Sequence, residues 1–326
     1  MATTAAAAAT RRSLRQNPWR RGSSFRRWFT RTRNLVLLLV VVALAPPIFL
    51  HFKLRRFHQM QSEMCGWLID PPLVCAHGGD SKNAFPNTMA AYRSALIFEA
   101  DCMEIDASRS SDGVLFALHD RDLQRISGNH TSKVGHFSRK EITELVATHQ
   151  LPAGLDNQEI PTIEDALLRI SSSVRGIILD VKVGPPAYEK GLAEDILSVV
   201  KKTKCINCIV WSKSDTLVRE LIRLSANMTV GYIVMKDPST GITSSLFRIK
   251  RASVVGVYHP LINNELKSAL HGRKKEVYAW TVDDEVSMKR MLYNRVDGIV
   301  TGDPALVQVV MRDIRTQCVQ EGFSLP

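Results

Sequence analysis

The sequence has no lysine, aspartate or glutamate before Asn34, although nine arginines occur in that stretch. The formal net charge of the whole chain is +11, so this arginine-rich tail contributes +9 and the remaining residues contribute only +2. A nucleic-acid-binding domain would need a basic face on its folded part. The nearly neutral balance after residue 33 argues against such a domain, and we expect no nucleic-acid partner.

Cysteine is also scarce, with six in 326 residues, which excludes a scaffold built mainly from disulfides. Cys205 and Cys208 have redox or zinc spacing, but no second pair and no nearby histidine complete such a site. We expect them to form a structural or incidental pair. Cys75 and Cys102 lie in apolar runs and are expected to be small buried hydrophobic residues.

The sequence has one long hydrophobic run, Leu35 to Leu50, interrupted only by two adjacent prolines. It is slightly shorter than the roughly 18 residues of a confident membrane span, and His51 and Phe52 extend it. Nine arginines precede the run and three basic residues follow it closely, which places the N-terminus in the cytosol by the positive-inside rule.

These features predict a basic disordered cytosolic tail at 1–33, a transmembrane signal anchor at 34–52, and a juxtamembrane linker at 53–70. The rest of a single-pass endomembrane protein would then be lumenal or extracellular. Asn129 and Asn227 begin glycosylation triplets that fit this topology, so a glycoprotein is expected. A plastid or mitochondrial transit peptide is the alternative, because the tail is rich in arginine, serine and alanine and free of acids.

From residue 71 onward, short aliphatic runs alternate with amphipathic segments, which predicts parallel βα units. Eight strand-like runs begin at these residues: Leu73, Cys102, Gly176, Cys208, Thr229, Ser253, Glu276 and Asp297. Eight such strands over residues 71–326 predict an α/β fold, a (β/α)₈ TIM barrel. An extra extended piece, Val114 to Asp120, begins a small insertion after strand two.

Polar residues interrupt the apolar runs at their carboxyl ends, where TIM barrels carry their chemistry. They are His77, Glu104, Asp106, His119, Asp120, Asp180 and Lys182. Glu104 and Asp106 are two residues apart in a strand and therefore point to the same face. Asp180 on the neighbouring strand adds a third carboxylate.

Three converging carboxylates repel one another unless a positive charge lies between them, and hard oxygen ligands suit Mg²⁺ or Ca²⁺. A divalent cation bound by these side chains is the favoured interpretation, and a cluster neutralised by lysine or arginine is the alternative. His77 and His119, beside such a cation, are candidates for general base and general acid at phosphorus. Lys182 offers a positive contact for a phosphate oxygen.

These residues resemble the motifs of the glycerophosphodiester phosphodiesterase family, in the same order along nearly the whole predicted barrel. The family opening, His-Arg-Gly followed by Pro-Glu-Asn-Thr, is similar to HGGDSKNAFPNT at 77–88. Its Glu-x-Asp, Asp-Gly, His-Asp and Glu-x-Lys motifs resemble the pairs that begin at these residues: Glu104, Asp112, His119 and Asp180. The family's Trp-Thr strand and its Val-Asp-Gly-Ile ending resemble the segment at 279–304.

The resemblance implies metal-dependent hydrolysis of glycerophosphodiesters to glycerol 3-phosphate and an alcohol. The acid and base would be His77 and His119, and the substrate contacts Lys182 and Trp280. By the same resemblance, the metal ligands would be Glu104, Asp106 and Asp180. The expected partners are a small-molecule glycerophosphodiester or lysophospholipid, and the membrane through residues 34–52.

The chain departs from the family pattern at three positions. Gly78 replaces the arginine expected to hold the phosphate, Pro86 replaces a glutamate, and Asp180 is one methylene shorter than the usual glutamate. Lys82 and Arg109 are candidates for the missing charge. Two alternatives therefore stand beside hydrolysis: an impaired barrel that binds phosphodiesters or a partner, and a phospholipid phosphodiesterase that forms a cyclic product.

Overall fold

The structure, a computed structural model, describes residues 22–148, 159–237 and 239–323, with side chains from residue 28 onward. The chain divides into two compact units, Met1–Met60 and Gln61–Pro326. Residues 1–21, most of the predicted cytosolic tail, lie outside the described residues.

Helix α1 spans Gly22–Cys65 and contains the apolar run. It begins inside the predicted tail and continues into the predicted linker, because arginine is a good helix former and no proline or glycine follows Pro47 before its end. Within the part of the chain that the structure describes, it is the one helix long and apolar enough to cross a membrane. Either a membrane anchor or a signal sequence has these properties.

The second unit is a closed barrel of eight parallel strands, which confirms the predicted TIM barrel. Strand β1 pairs with both β2 and β9, and these contacts close the ring. The parallel strands are β1 Leu73–His77, β2 Cys102–Arg109, β4 Gly176–Val181, β5 Cys208–Ser212, β6 Thr229–Val234, β7 Val254–Tyr258, β8 Glu276–Trp280 and β9 Gly298–Thr301.

The ninth strand, β3 at Leu115–Ala117, runs antiparallel to the end of β2 and begins the insertion predicted after strand two. Helices α3 (Asp120–Ser127) and α4 (Arg139–Thr148) follow it before the chain returns to the barrel. The insertion has its own apolar cluster, which explains why it can fold against the barrel mouth.

The outer helices bury one apolar face against the strands, and several begin at an N-cap whose side chain accepts a backbone N–H. These helices are α2 Met89–Ile97, α5 Ile163–Ile170, α6 Leu192–Thr203, α7 Asp215–Leu224, α8 Asn264–His271, α9 Glu285–Asn294 and α10 Pro304–Gln320. The interior of the ring is filled rather than open, with Trp211 and Tyr278 as its largest side chains.

The six cysteines form three disulfides, of which only the Cys205–Cys208 pair was expected from the sequence, as a structural or incidental pair. They are Cys65–Cys318, Cys75–Cys102 and Cys205–Cys208. Cys75 and Cys102 are buried, as expected, but they are also register partners on adjacent strands, so their sulfur atoms meet. The long-range Cys65–Cys318 bond joins residues 253 apart, a distance over which sequence spacing gives no pairing signal.

Candidate active site

Strand register brings the predicted site residues to one end of the barrel. His77 at the end of β1 lies opposite Glu104 on β2, and Asp106 on β2 lies opposite Asp180 on β4. Paired positions on parallel strands share a face, so these side chains converge as the two-residue spacing of Glu104 and Asp106 predicted. The geometry follows directly from local strand alternation.

The three carboxylates of Glu104, Asp106 and Asp180 form a buried cluster in which one oxygen from each lies within 4.8 Å of the others. Lys182, the residue directly after β4, reaches this cluster. Its Nζ lies 2.6 Å from Asp106 Oδ1 and also pairs with Asp180. Without a cation, the lysine thus supplies the positive charge that the carboxylates need.

Burial and mutual repulsion set the protonation of this cluster. Burial, followed by the negative charges of Asp106 and Asp180, raises the pKa of Glu104 well above its usual value. Burial alone would raise the pKa of Asp106 too, but the positive charge of Lys182 is the largest opposing effect, so that pKa is lowered. Burial opposes the charge on Lys182, whereas the carboxylates raise its pKa overall. The two carboxyl groups of β2 are therefore shifted in opposite directions, the pKa of Glu104 upward and that of Asp106 downward.

The loop after β1 positions two of these carboxylates. The Gly78 N–H donates to Glu104 Oε2 at 3.0 Å. Asn87 Nδ2 donates to Asp106 Oδ2 at 2.8 Å, and its Oδ1 accepts the Asp106 N–H at 3.0 Å. Gly78 and Asn87 have φ values of 64° and 61°, in the left-handed region that glycine and asparagine tolerate best. The unusual sequence of this loop therefore has a structural role in addition to any chemical one.

Both histidines line the recess above the carboxylates and are mainly neutral. Burial lowers the pKa of His77, partly opposed by Asp106. Burial likewise lowers the pKa of His119 to about 4, again against the pull of Asp106. His119 Nδ1 accepts the backbone N–H of Arg121 at 3.1 Å, which caps α3 and leaves Nε2 as the nitrogen that carries the proton.

The recess has a volume of about 70 Å³ and opens beside a second groove of about 420 Å³. Six of the seven predicted site residues line the recess, and Asp106 lies among the carboxylates beneath it. The structure therefore brings together His77, Glu104, Asp106, His119, Asp180, Lys182 and Trp280. The wall also includes the indole of Trp211 and the side chain of Lys213.

Three residues at this site were missed from the sequence. Asn87 belongs to the Pro-Asn-Thr turn, where an asparagine in the left-handed region was the available signal. Lys213 directly follows β5, the position where barrel side chains reach the active-site face. Arg121 lies two residues after His119 and lines both the recess and the groove.

The two cations suggested for the missing arginine charge are both engaged elsewhere. Lys82 Nζ pairs with Asp303 at 2.5 Å, and the Arg109 guanidinium pairs with Asp195 at 2.7 Å. Arg109 also donates to the backbone carbonyl oxygens of Tyr188 and Lys190. Neither side chain lines the recess.

Comparison with known proteins shows which protein family this sequence matches. Residues 77–306 match the glycerophosphoryl diester phosphodiesterase family. A protein of Arabidopsis thaliana, glycerophosphodiester phosphodiesterase GDPD4, is 57% identical over 293 residues, covering 90% of this chain and 89% of that protein. A bacterial glycerophosphodiester phosphodiesterase from Caldanaerobacter subterraneus is 28% identical over 245 residues, 74% of this chain and 98% of its own length.

Solved structures share the fold. A structure described as a putative glycerophosphoryl diester phosphodiesterase, from Silicibacter pomeroyi, has a TM-score of 0.64 at 20% identity and covers 78% of this chain and 95% of its own. An Oleispira antarctica phosphodiesterase in complex with the product sn-glycerol-3-phosphate has a TM-score of 0.58 at 21% identity, with 74% and 97% covered. At these identities the likeness supports the barrel and nothing finer.

Proposed function

Because the chain belongs to the glycerophosphoryl diester phosphodiesterase family, we propose that it hydrolyses glycerophosphodiesters to glycerol 3-phosphate and an alcohol with the help of a divalent cation. The observation that carries this proposal is the convergence of three buried carboxylates and two neutral histidines at one recess. Such a set combines cation binding with proton transfer, the two requirements for displacement at phosphorus.

The carboxylates fit a divalent cation. Asp180 Oδ1 is buried and has no hydrogen-bond partner within the described parts of the chain. Buried polar atoms are usually paired, so this oxygen is available to coordinate a cation. The oxygens of Glu104, Asp106 and Asp180 would hold the ion, and Mg²⁺ and Ca²⁺ both favour such all-oxygen sites. A bound cation would neutralise the carboxylates and withdraw charge from a phosphate oxygen.

The histidines supply the proton transfers. In hydrolysis, the oxygen of a water molecule attacks phosphorus, and one of its protons passes to one histidine. The bond from phosphorus to the departing alcohol oxygen breaks, and the other histidine donates a proton to that oxygen. The histidine that donates must be an imidazolium at that moment, because a neutral imidazole has only one N–H proton to keep; His77 and His119 together form this acid and base pair.

Lys182 and Trp280 are the proposed substrate contacts on the other walls. The ammonium group of Lys182 faces the recess and would reach a phosphate oxygen once a cation has taken over the carboxylates. The indole N–H of Trp280 has no hydrogen-bond partner within the described ranges, so it offers a donor and an apolar surface for the glycerol part.

The substrate class is proposed as small glycerophosphodiesters, with lysophospholipids as a second possibility because the outer groove leaves room for a longer group. The impaired-barrel interpretation is not favoured, since the cation-binding and proton-transfer groups stand together. A cyclic product would require a substrate hydroxyl as the nucleophile, and no observation favours it over water.

We also propose that residues 34–52 anchor the protein in an endomembrane, with the barrel on the lumenal side. Three disulfides in one barrel are typical of an oxidising compartment and rare in the cytosol. Asn129 and Asn227 are exposed on the barrel, as glycosylation requires. A glycosidase-sensitive mass shift that disappears in Asn129→Gln together with Asn227→Gln would support this topology, and unmodified protein in the membrane fraction would count against it.

The activity is tested with the full chain purified in detergent, assayed by phosphorus NMR on glycerophosphocholine, glycerophosphoethanolamine and a lysophospholipid. We expect glycerol 3-phosphate from the first two, with no cyclic phosphate, and loss of turnover in His77→Ala. His136→Ala, an exposed histidine in the insertion, is the matched control. Turnover that survives in His77→Ala, or its absence from the folded wild-type protein, would contradict the proposal.

A further inference from the structure

We propose that Arg121 and Lys213 together form the phosphate-binding cations of this site and replace the arginine charge that Gly78 lacks. This inference rests on the proposed function, because it assigns the substrate's phosphate to the recess. Neither residue belongs to a motif that the sequence analysis identified, and neither holds a proposed metal ligand or proton-transfer role.

Their positions put both charges at the mouth of the recess. Arg121 is the second residue of α3, two residues after the His119 cap, and its side chain lines both the recess and the outer groove. Lys213 follows the last residue of β5 and also lines the recess, with its Nζ 5.7 Å from the centre of the Trp280 ring. A phosphate in the recess would thus have two cations among the residues that line it.

Both cations are available for a ligand. Arg121 is 53% exposed, and its nearest carboxylate oxygen, on Asp122, is 4.0 Å away without a hydrogen bond. Lys213 is exposed and has no hydrogen bond or ion pair within the described ranges of the chain. Lys82 and Arg109 differ in this respect, since each is already paired with an aspartate.

The net charge of the carboxylate cluster explains why two further cations would be needed. Three carboxylates carry three negative charges when ionised, and Lys182 with a divalent cation cancels all three. The site below the phosphate is then neutral. A phosphodiester carries one negative charge, and the attack of water adds more charge to its oxygens, so positive charges beyond this neutral cluster would stabilise it further.

The field of Arg121 already reaches the reacting groups. After burial and Asp106, its positive charge is the next influence on His77, where it lowers the pKa of the imidazole. Arg121 also lowers the pKa of His119, after the larger effects of burial, Asp106 and Lys182. The guanidinium therefore acts on the same small volume in which phosphorus would react.

The opening loop explains why the charge cannot simply return to position 78. A Cβ at Gly78 would lie 3.0 Å from Pro86 Cβ, and its φ of 64° disfavours any side chain. Gly78 and Pro86 are thus packed against each other as a pair. A cation supplied from α3 and another from the end of β5 avoid this loop altogether.

The test measures binding of glycerol 3-phosphate and turnover of glycerophosphocholine by the full chain in detergent, with the cation that supports activity. The variants are Arg121→Ala, Lys213→Ala, the double variant and Arg121→Lys, with Lys82→Ala as the matched control. Both residues are exposed, so the variants are expected to fold. Calorimetric titration with glycerol 3-phosphate gives a readout that does not depend on turnover.

Each alanine variant should weaken glycerol 3-phosphate binding and lower kcat/KM by about 10-fold to 100-fold, the usual effect of losing a hydrogen bond to a charged group. The double variant should lose more, Arg121→Lys should recover part of the loss, and Lys82→Ala should stay within about 2-fold. Cation affinity should not change in any of them.

The outcomes separate this inference from the proposed function. Unchanged binding and turnover in the double variant would overturn the inference while leaving the hydrolase intact. Glycerol 3-phosphate binding that depends on both cations, in a protein without turnover, would support the inference and contradict the function. A wild-type protein that does not bind glycerol 3-phosphate at all would overturn the inference.

Discussion

Substitution of Asn87 by glycine tests whether the loop after β1 holds the carboxylate cluster in place. Asn87 is fully buried and makes two hydrogen bonds to Asp106, one from Nδ2 to the carboxylate and one from the Asp106 N–H to Oδ1. Glycine keeps the φ of 61° without strain, so the substitution removes the bonds and leaves the backbone conformation accessible.

The expected cost follows from the two bonds. A hydrogen bond to a charged group contributes about 1.5–3 kcal/mol, and a neutral one about 0.5–1.5 kcal/mol. Asn87→Gly should therefore lower the free energy of unfolding by about 2–4.5 kcal/mol. Affinity for the divalent cation should fall by about 10-fold to 100-fold, because a group that orients a ligand is lost.

Urea unfolding of the chelated full chain measures the first quantity, and calorimetric titration with Mg²⁺ and Ca²⁺ measures the second. Asn83→Gly is the matched control, since Asn83 is an exposed asparagine of the same loop whose side chain, among the described residues, bonds only to Asp80. A loss of stability in Asn87→Gly no larger than in Asn83→Gly, with unchanged cation affinity, would refute the assigned role of Asn87.

Three further outcomes are expected. Gly79→Ala should lower the free energy of unfolding by about 3 kcal/mol, because its new Cβ would lie 2.6 Å from a backbone carbon. Gly113 has a similar φ but open space around it, so Gly113→Ala should cost only about 1 kcal/mol. Equal urea midpoints for the two variants would contradict this. The pKa of His119 is about 4 in the folded state, below its ordinary 6.5, so as pH falls the unfolded chain binds this proton first. The stability of the cation-free protein should therefore fall as pH drops from about 6.5 to about 4. His119→Asn, which preserves the helix cap, should show a shallower fall of Tm over that range, and an identical pH profile would count against it. Cys65→Ser removes a disulfide between residues 253 apart and should lower the free energy of unfolding by about 5 kcal/mol. Cys205→Ser, across a separation of 3, should lower it by about 2 kcal/mol. Thermal unfolding measures both, and the reverse order would contradict the pairing.

The barrel could be predicted from the sequence because its signals are local. Each strand is a short aliphatic run between amphipathic segments, and strand alternation alone puts Glu104 and Asp106 on one face. The carboxyl ends of parallel strands meet at one rim, so His77 and Asp180 had to lie near them. Resemblance to a family then added expected roles to positions that the pattern had already selected.

The remaining features depend on side-chain direction and long-range contact, which sequence spacing does not give. Lys82 and Arg109 had the right charge in the right region, yet aspartates elsewhere bind both. In the sequence, Lys213 is indistinguishable from a solvent-exposed lysine that follows a strand. Its position at the recess becomes visible only in the closed barrel. Arg121 likewise needed the position of α3 to be recognised.

The most direct measurement of the central claim is turnover of glycerophosphocholine by the chelated full chain as Mg²⁺ or Ca²⁺ is added back, in the wild type and in Asp180→Asn. Hydrolysis by three carboxylates, a cation and two histidines predicts no activity after chelation, saturable recovery with one of the two ions, and little recovery in Asp180→Asn. Full activity in the presence of the chelator, or recovery by Asp180→Asn equal to that of the wild type, would contradict this mechanism.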